Sequence, residues 1–294
     1  MTVEIKRLVD CTIAEGVEAW NIGFEGYFFD ATTTAEKFIS RLVQEGLSPH
    51  LSIVAFIDNK PIGIVKNGIR EFNGKKLAWN GGTGVASELR NKGIGKILMD
   101  ATLAILKDEQ VDYATLEAIS ENEKAISLYE KLGYEIVDQL EYLSLKGKKE
   151  NTYVSDHTGG YKVERAIPQQ VGNLSFYKGM NPWQTQWQSA KEGEALIVKD
   201  SCGCPLGYAY YRKVYDTEDK HINTVLYQCE AEQGHEDTER IIKCLLHEVF
   251  GNLIDDINRV IPNLPIEKSK ITYSILKEMG FDAITRQVYM IKKM

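Results

Sequence analysis

The alternation of apolar and polar segments predicts the same order of elements twice along the chain. The strongest apolar run, Leu51 to Ile57, has the length of a strand, and Ile97, Ala101 and Ile105 are spaced by four, as on one face of a helix. Each half reads as strand, helical region, hairpin, strand, helix, strand, helix and paired strands. This order predicts an α/β (α+β) fold in which a mixed, mostly antiparallel sheet is flanked by helices.

The two halves also resemble each other in sequence. The segment IVAFIDNKPIG is echoed by LIVKDSCGCPLG, so that Pro61 corresponds to Pro205. Further along, LYEKLGYEIVDQLEY is echoed by ILKEMGFDAITRQVY, so that Gly133 corresponds to Gly280. Self-similarity at this distance indicates that one unit has been duplicated.

A polar stretch, LKGKKENTYVSDHTGGYK, separates the two periodic regions. Its lysines and glycines are typical of a connection between compact units. We therefore expect a first domain over residues 1–147, a linker over 148–158 and a second domain over 159–294.

A glycine-rich turn, Arg90 to Lys96, leads from a β-like stretch into the helix of the first half. Gly93 and Gly95 allow the backbone to turn tightly and to approach a ligand closely. The free N–H groups at the helix start, aided by Lys92, favour a phosphate group. A plain strand-to-helix turn is the alternative reading.

Two nucleotide-binding motifs are excluded at this turn. A P-loop needs a glycine five residues before its Gly-Lys-Ser/Thr, whereas Arg90 stands at that position before Gly95-Lys96, and Ile97 follows in place of Ser or Thr. A dinucleotide fingerprint needs a third glycine where this chain has Leu98.

The loop instead resembles that of the GNAT acetyltransferase family, R/Q-x-x-G-x-G/A, in the form RNKGIG. After the strand-like VDYATLEAI, the sequence ENEKAISLYEKLGY is similar to the family's motif N-x-x-A-x-x-L-Y-x-x-x-G-F/Y. The resemblance covers residues 1 to about 147, and the internal repeat extends it in weaker form to residue 294. It implies two tandem GNAT-like domains.

The resemblance implies that acetyl-CoA binds in the first domain as a cosubstrate. Backbone N–H groups at the end of a strand would bind the pantetheine and polarise the thioester, and the glycine loop would bind the diphosphate. Asn122 would contact the cofactor arm. It could equally cap the following helix, and Ser120 with Glu123 could form a capping box at the same helix start. The residues implied are Thr83, Gly84, Val85, Arg90, Asn91, Lys92, Gly93, Ile94, Gly95, Lys96 and Asn122.

The same resemblance implies two catalytic residues. Tyr129 would protonate the departing thiolate, and Glu117 would be the general base. An alkyl amine with a pKa near 10.4 is mostly protonated at neutral pH, so making it nucleophilic costs roughly 4 to 5 kcal/mol and calls for a base. Tyr129 could also be a core tyrosine and Glu117 could face solvent, and Glu25 and Glu88 are competing bases.

An aromatic segment lies where the family places its first helices and its acceptor-binding loop. Most of its rings are expected in the core, but FEGYFFD combines aromatic residues with two carboxylates, a composition suited to holding an amine. The aromatic residues are Trp20, Phe24, Tyr27, Phe28 and Phe29.

Composition and charge narrow the partners. The chain has 294 residues and a net charge of -7 without a basic run, which disfavours nucleic acid and acidic membrane surfaces. Its N-terminus, MTVEIKRLVD, has no apolar stretch of signal-peptide length. We expect a cytoplasmic protein.

The cysteines do not indicate a disulfide framework or a metal site. They are five in number and irregularly spaced, which fits a reducing compartment. Cys202, Cys204, Cys229 and Cys244 all lie in the second half, which could indicate a zinc site, but no paired C-x-x-C elements occur. We expect no metal.

The second half lacks the chemistry of the first. Leu276 stands in place of Tyr129, Ser269 in place of Asn122, and the acidic GHEDTERIIK in place of the glycine loop. A leucine has no proton to donate, and the carboxylates would repel a diphosphate. We expect a degenerate domain that shapes the acceptor cleft or replaces the second subunit of single-domain relatives.

The function expected is an acetyl-CoA-dependent N-acetyltransferase that moves the acetyl group to a primary amine by direct attack. The acceptor would be a small molecule or a peptide, and the protein a monomer or a homodimer. The alternatives are a non-catalytic CoA-binding regulatory module and a transferase of another acyl group.

Trp183 and Trp187 would lie at a domain contact or fill a core.

Overall fold

The computed structural model describes residues 2–149 and 161–294. The chain forms two compact units, one of residues 1–137 with 290–294 and the other of residues 138–289. This division falls earlier than the boundary expected at 147. Residues 150–158 of the expected linker lie outside the described part, so the linker stays a prediction.

The first unit has the predicted order of elements. Its strands follow one another in the sheet as β1-β2-β3-β4-β5, with β4 and β5 parallel and the other pairs antiparallel. The elements are β1 (Glu4–Arg7), α1 (Ile13–Gly23), α2 (Ala35–Glu45), β2 (Ile53–Ile57), β3 (Lys60–Phe72), β4 (Lys75–Val85), α3 (Ile94–Asp108), β5 (Tyr113–Ile119) and α4 (Glu123–Lys131).

The second unit repeats this order. After β6, most of which lies in this unit, the sheet runs β6-β11-β10-β9-β8-β7, with β10 and β11 parallel. The elements are β6 (Glu135–Lys146), β7 (Lys162–Ala166), α5 (Pro168–Val171), β8 (Glu194–Lys199), β9 (Pro205–Tyr215), β10 (His221–Ala231), α6 (Thr238–Phe250), β11 (Asn258–Pro265), α7 (Lys270–Glu278) and β12 (Asp282–Lys293).

The predicted fold class is confirmed, but the last residues of the chain belong to the first unit. The backbone N–H of Met294 donates to the carbonyl oxygen of Asp112 at 2.9 Å. Residues 290–294 therefore complete the first unit although they follow the whole of the second.

The buried face of α3 differs from the sequence expectation. Ile97 is 40% exposed, whereas Leu98 and Thr102 are fully buried and Ile105 is nearly so. An α-helix has 3.6 residues per turn rather than four, so the stripe that faces the core consists of Leu98, Thr102 and Ile105. Burying this stripe against the sheet fixes the direction in which the start of α3 points.

Within 2–149 and 161–294, no helix combines the length and the apolar character needed to cross a membrane. In that part of the chain, histidine, cysteine and carboxylate side chains form no group of three or more that could hold a metal ion.

Candidate active site

The two parallel strands of the first unit separate towards their carboxyl ends. Their pairing runs from Leu77 and Tyr113 to Asn80 and Leu116. Beyond this point β4 continues to Val85 and β5 to Ile119, with no further pair between them among the described residues. The separation leaves backbone polar groups between the strands without a sheet partner.

The register of β4 shows which of these groups face the cleft. The N–H of Ala86 donates to the carbonyl of Ile62 at 2.9 Å. Hydrogen bonding alternates along an antiparallel pair, so Gly84 directs its N–H towards its partner Ile64 in β3. Thr83 and Val85 direct theirs away from β3, towards the cleft.

Gly84 therefore serves a different purpose from the one expected of it. A Cβ atom on Gly84 would lie 2.8 Å from Cε2 of Phe24 and 3.0 Å from the carbonyl carbon of Gly23. The end of α1 thus packs directly on the backbone of β4. The sequence interpretation gave Gly84 a cofactor-binding N–H, whereas the pairing commits that N–H to the sheet.

A bulge bends β4 just before the cleft. The pairing with β3 shifts between Val65 and Asn67, opposite Gly82, whose φ is +145°. The Asn80 side chain holds the bulge: its Oδ1 accepts from the N–H of Gly82 at 2.9 Å, and its Nδ2 donates to Oγ1 of Thr83 at 2.8 Å. The dipeptide Gly81-Gly82 after Asn80 is a sequence signal for such a bulge that the sequence interpretation missed.

Tyr129 projects from α4 and is only 8% exposed. Burial raises the pKa of Tyr129 to about 12, and the Thr83 side chain is its hydrogen-bond partner. The phenol is therefore protonated at neutral pH and lies beside a residue that borders the cleft. Burial agrees with the core reading of Tyr129, and the contact with Thr83 agrees with the catalytic reading.

Asn122 caps α4 and also reaches the aromatic segment. Its Oδ1 accepts from the N–H of Ala125 at 3.3 Å, so the capping role is confirmed. The alternative capping box of Ser120 and Glu123 does not form, because the helix begins at Glu123 and Ser120 lies in the preceding turn. Burial raises the pKa of Tyr27. The hydrogen bond with the Asn122 side chain acts in the opposite direction and lowers it. Tyr27 belongs to the aromatic segment that the sequence indicated, but its contact with Asn122 was not predicted.

The glycine loop presents the start of α3 without a side-chain cap. Gly93 is the N-cap residue, with φ of +85°, and no side chain accepts from the first N–H groups of the helix. A Cβ atom on Gly93 would meet nothing within 4 Å, so the loop is open on this side. Gly95 instead permits close packing, since a Cβ there would lie 3.3 Å from Cδ2 of Leu128. The loop therefore offers backbone N–H groups, as an anion site requires.

Two of the loop's three cationic side chains are bonded to the protein. The guanidinium of Arg90 donates to the carbonyl oxygens of Val85 at 2.9 Å, Gly23 at 3.1 Å and Glu25 at 2.6 Å. Lys96 forms an ion pair with Asp100 at 2.6 Å. Arg90 thus ties the end of β4 to the end of α1, a role that the sequence did not indicate.

The candidate bases differ in their surroundings. The indole Nε1 of Trp79 donates to Oε2 of Glu117 at 2.6 Å, so Glu117 is half-buried and oriented rather than facing solvent. Glu25 and Glu88 are exposed, and the Ser87 hydroxyl lies 3.0 Å from Oε2 of Glu25 and 3.3 Å from Oε2 of Glu88.

The aromatic segment is partly core and partly surface. Trp20 is buried and stacks on Phe24 with ring centroids 4.1 Å apart, whereas Phe28 and Phe29 are 55% and 58% exposed. The Tyr27 ring contacts Phe28 and Phe29 edge-on, each at 5.2 Å. Phe24 and Tyr27 are half-buried, so the expectation that most of the five rings lie in the core is wrong: only Trp20 is buried.

The first half of the chain matches a known family. Residues 14–134 match the family model described as the acetyltransferase (GNAT) family. None of the curated proteins compared with the chain matches it.

Solved structures share the fold over the whole chain. A putative acetyltransferase from Pyrococcus horikoshii is 17% identical with a TM-score of 0.60, covering 100% of this chain and 89% of its own. A GCN5-related N-acetyltransferase from Sphaerobacter thermophilus is 13% identical with a TM-score of 0.62, covering 99% and 95%. A tandem GNAT protein from the clavulanic acid biosynthesis pathway is 12% identical with a TM-score of 0.57, covering 99% and 98%.

Proposed function

Because residues 14–134 belong to the GNAT family of acetyltransferases, we propose that the chain transfers an acetyl group from acetyl-CoA directly to a primary amine. The observation that carries this proposal is the cleft between β4 and β5. It combines the backbone N–H groups of Thr83 and Val85, which point away from β3, with the protonated phenol of Tyr129.

The residues around the cleft fit an acyl-CoA. Thr83 and Val85 offer backbone N–H groups to the pantetheine arm and the thioester carbonyl. The N–H groups that follow Gly93 are uncapped and face open space, which suits the diphosphate. Of the loop's cations, exposed Lys92 is the one we assign to the phosphates, while Arg90 supports the loop from behind.

The proposed chemistry needs one base and one acid. Glu117 removes a proton from the ammonium group of the acceptor, directly or through water, and the free amine attacks the thioester carbonyl carbon. The carbon–sulfur bond breaks, and Tyr129 gives its proton to the sulfur. The nitrogen of the new amide then loses its extra proton, which returns through water to the Tyr129 oxygen. A thiol of this kind has a pKa of about 8.5, so the acid assists a leaving group that is already tolerable.

The acceptor is proposed to enter beside residues 24–30. This segment carries exposed Phe28 and Phe29 together with the carboxylates of Glu25 and Asp30, and no cationic residue. A protonated amine attached to an apolar group is complementary to such a surface.

The test is turnover of acetyl-CoA with a panel of primary amines. Turnover is measured as thiol release, and the acetylated amine is identified by mass spectrometry. We expect one N-acetyl product for each CoA released. Incubation with acetyl-CoA alone should leave the protein mass unchanged, because direct transfer forms no acetyl-enzyme. Tight CoA binding without transfer to any amine would instead favour a non-catalytic CoA-binding module.

A further inference from the structure

The second unit contains a strand separation like that of the first. The parallel pairing of β10 and β11 runs from Asn223 and Asn258 to Val225 and Val260. Beyond this point β10 continues to Ala231 and β11 to Pro265, without a further pair between them among the described residues. A degenerate copy of the fold has therefore kept the geometry of a donor cleft.

A segment of the same unit is bonded to both separating strands. The carbonyl oxygen of Thr185 accepts from Nε2 of Gln228 on β10 at 3.0 Å, and Oε1 of Gln184 accepts from Nδ2 of Asn263 on β11 at 3.0 Å. Both strand residues lie beyond the last pair. The adjoining Trp183 is 1% exposed, so the segment Trp183–Thr185 is part of the interior.

The backbone that corresponds to the cleft-facing residues of β4 is also bonded within the unit. The N–H of Glu232 donates to the carbonyl of Leu206 at 2.7 Å. Because hydrogen bonding alternates along the pair, the backbone N–H and C=O of Cys229 point away from β9, as those of Thr83 point away from β3. The carbonyl oxygen of Cys229 accepts from the hydroxyl of Thr272 in α7 at 2.6 Å.

A charged side chain replaces the glycine of the first unit. Glu230 pairs with Tyr208 in β9 just as Gly84 pairs with Ile64 in β3. Its carboxylate is nearly buried, forms an ion pair with Lys178 at 2.6 Å and accepts from the hydroxyl of Ser269, the counterpart of Asn122. In the first unit the end of α1 packs on the glycine, whereas in the second unit the carboxylate of Glu230 and its partners Lys178 and Ser269 stand at the corresponding position.

We infer that the chain itself occupies the second cleft, with Trp183–Thr185 between β10 and β11, so that the protein binds one acyl-CoA, in the first unit. The inference rests on the proposed function for the location of the single site. The start of α6 agrees with it, because Glu236 and Glu239 are exposed there, whereas the first turn of α3 has no carboxylate.

The experiment is calorimetric titration of the full chain with CoA. We expect one CoA per chain. Asn91→Asp with Lys92→Glu adds negative charge at two exposed loop positions of the first unit and should weaken binding about tenfold or more. Glu236→Gln with Glu239→Gln removes charge at the corresponding helix of the second unit and should leave both affinity and stoichiometry unchanged.

Two results would overturn the inference. One is a stoichiometry of two. The other is a single site that ignores the changes at residues 91 and 92 but tightens when residues 236 and 239 lose their charge. Absence of any CoA binding would instead reject the proposed function, so the two failures are distinguishable.

Discussion

Trp79 donates its indole N–H to Glu117, with Nε1 2.6 Å from Oε2, and so links β4 to β5 at the point where the two strands separate. The bond orients the carboxylate beside the last paired residues of the two strands. A carboxylate held in this way is better suited to act as a base than one that rotates freely in solvent.

Glu117→Gln should lower kcat/KM for the amine by about 10²-fold, because the amide retains an acceptor for Trp79 but cannot take a proton. The measurement is kcat/KM against pH, with KM for acetyl-CoA expected to stay near its original value. Trp79→Phe is the companion variant. It keeps the Glu117 carboxylate but removes the hydrogen bond that orients it, so we expect a smaller loss of kcat/KM. A normal rate in Glu117→Gln would move the assignment to Glu25 or Glu88.

Tyr129→Phe should slow turnover by about 10²-fold, because the ring is retained and the proton donor is lost. Since burial raises the pKa of Tyr129 to about 12, its ionisation should not limit the rate below pH 10. Tyr134→Phe is the matched control, because Tyr134 is also buried and contacts the Tyr129 ring edge-on at 5.9 Å. Equal losses in the two variants, measured under single-turnover conditions, would show a packing effect rather than acid catalysis.

Local features of the fold could be predicted from the sequence, whereas distant pairings could not. The two halves, their order of elements and the helix after the glycine-rich turn follow from periodicity and turn chemistry, which act over a few residues. Nothing local indicates that residues 290–294 join the first unit, because strand pairing depends on the whole fold.

The hydrogen-bond partners of residues in the candidate site could not be predicted from the sequence either. An arginine in an anion-binding motif suggests a phosphate ligand, yet Arg90 donates to three backbone carbonyls. The register that assigns the N–H of Gly84 to β3 depends on a bulge whose exact position the sequence does not give.

Phe28→Ala with Phe29→Ala should lower kcat/KM for 2-phenylethylamine by about 5- to 30-fold while leaving ethanolamine nearly unaffected. The reason is that a contact on two half-exposed rings contributes roughly 1 to 2 kcal/mol to an apolar acceptor. Ile39→Ala with Val43→Ala removes comparable exposed apolar surface from α2 and is the control. If both double variants reduce the two amines alike, the acceptor does not contact the aromatic pair.

The first unit buries one lysine side chain against aromatic rings. Lys66 is 1% exposed, and its Nζ lies 3.5 Å from the centroid of the Trp20 ring and 5.1 Å from that of Phe38. Burial lowers the pKa of Lys66 to about 6, the charge of Arg41 lowers it further, and Glu45 opposes them. The folded protein therefore holds this amine uncharged at neutral pH.

The sign of its effect on stability follows from proton binding. An unfolded lysine is protonated below a pKa of about 10.4, whereas folded Lys66 is protonated only below about 6. Between these values the unfolded chain binds more protons, so Lys66 makes the free energy of unfolding rise with pH, by at most about 1.4 kcal/mol per unit. The cost of burying Lys66 is complete below pH 6 and disappears near pH 10.

Lys66→Met should therefore raise the free energy of unfolding at pH 7, by roughly 2 to 4 kcal/mol, and the gain should shrink steadily towards pH 10. The measurement is urea unfolding at pH 7, 8 and 9, with Lys60→Met, an exposed lysine of the same strand, as the control that should change little. The contact with Trp20 acts in the opposite direction, since a ring face attracts a charged amine by about 2 kcal/mol when desolvated. A loss of stability in Lys66→Met that does not vary with pH would mean that this attraction prevails and that Lys66 is charged in the folded protein.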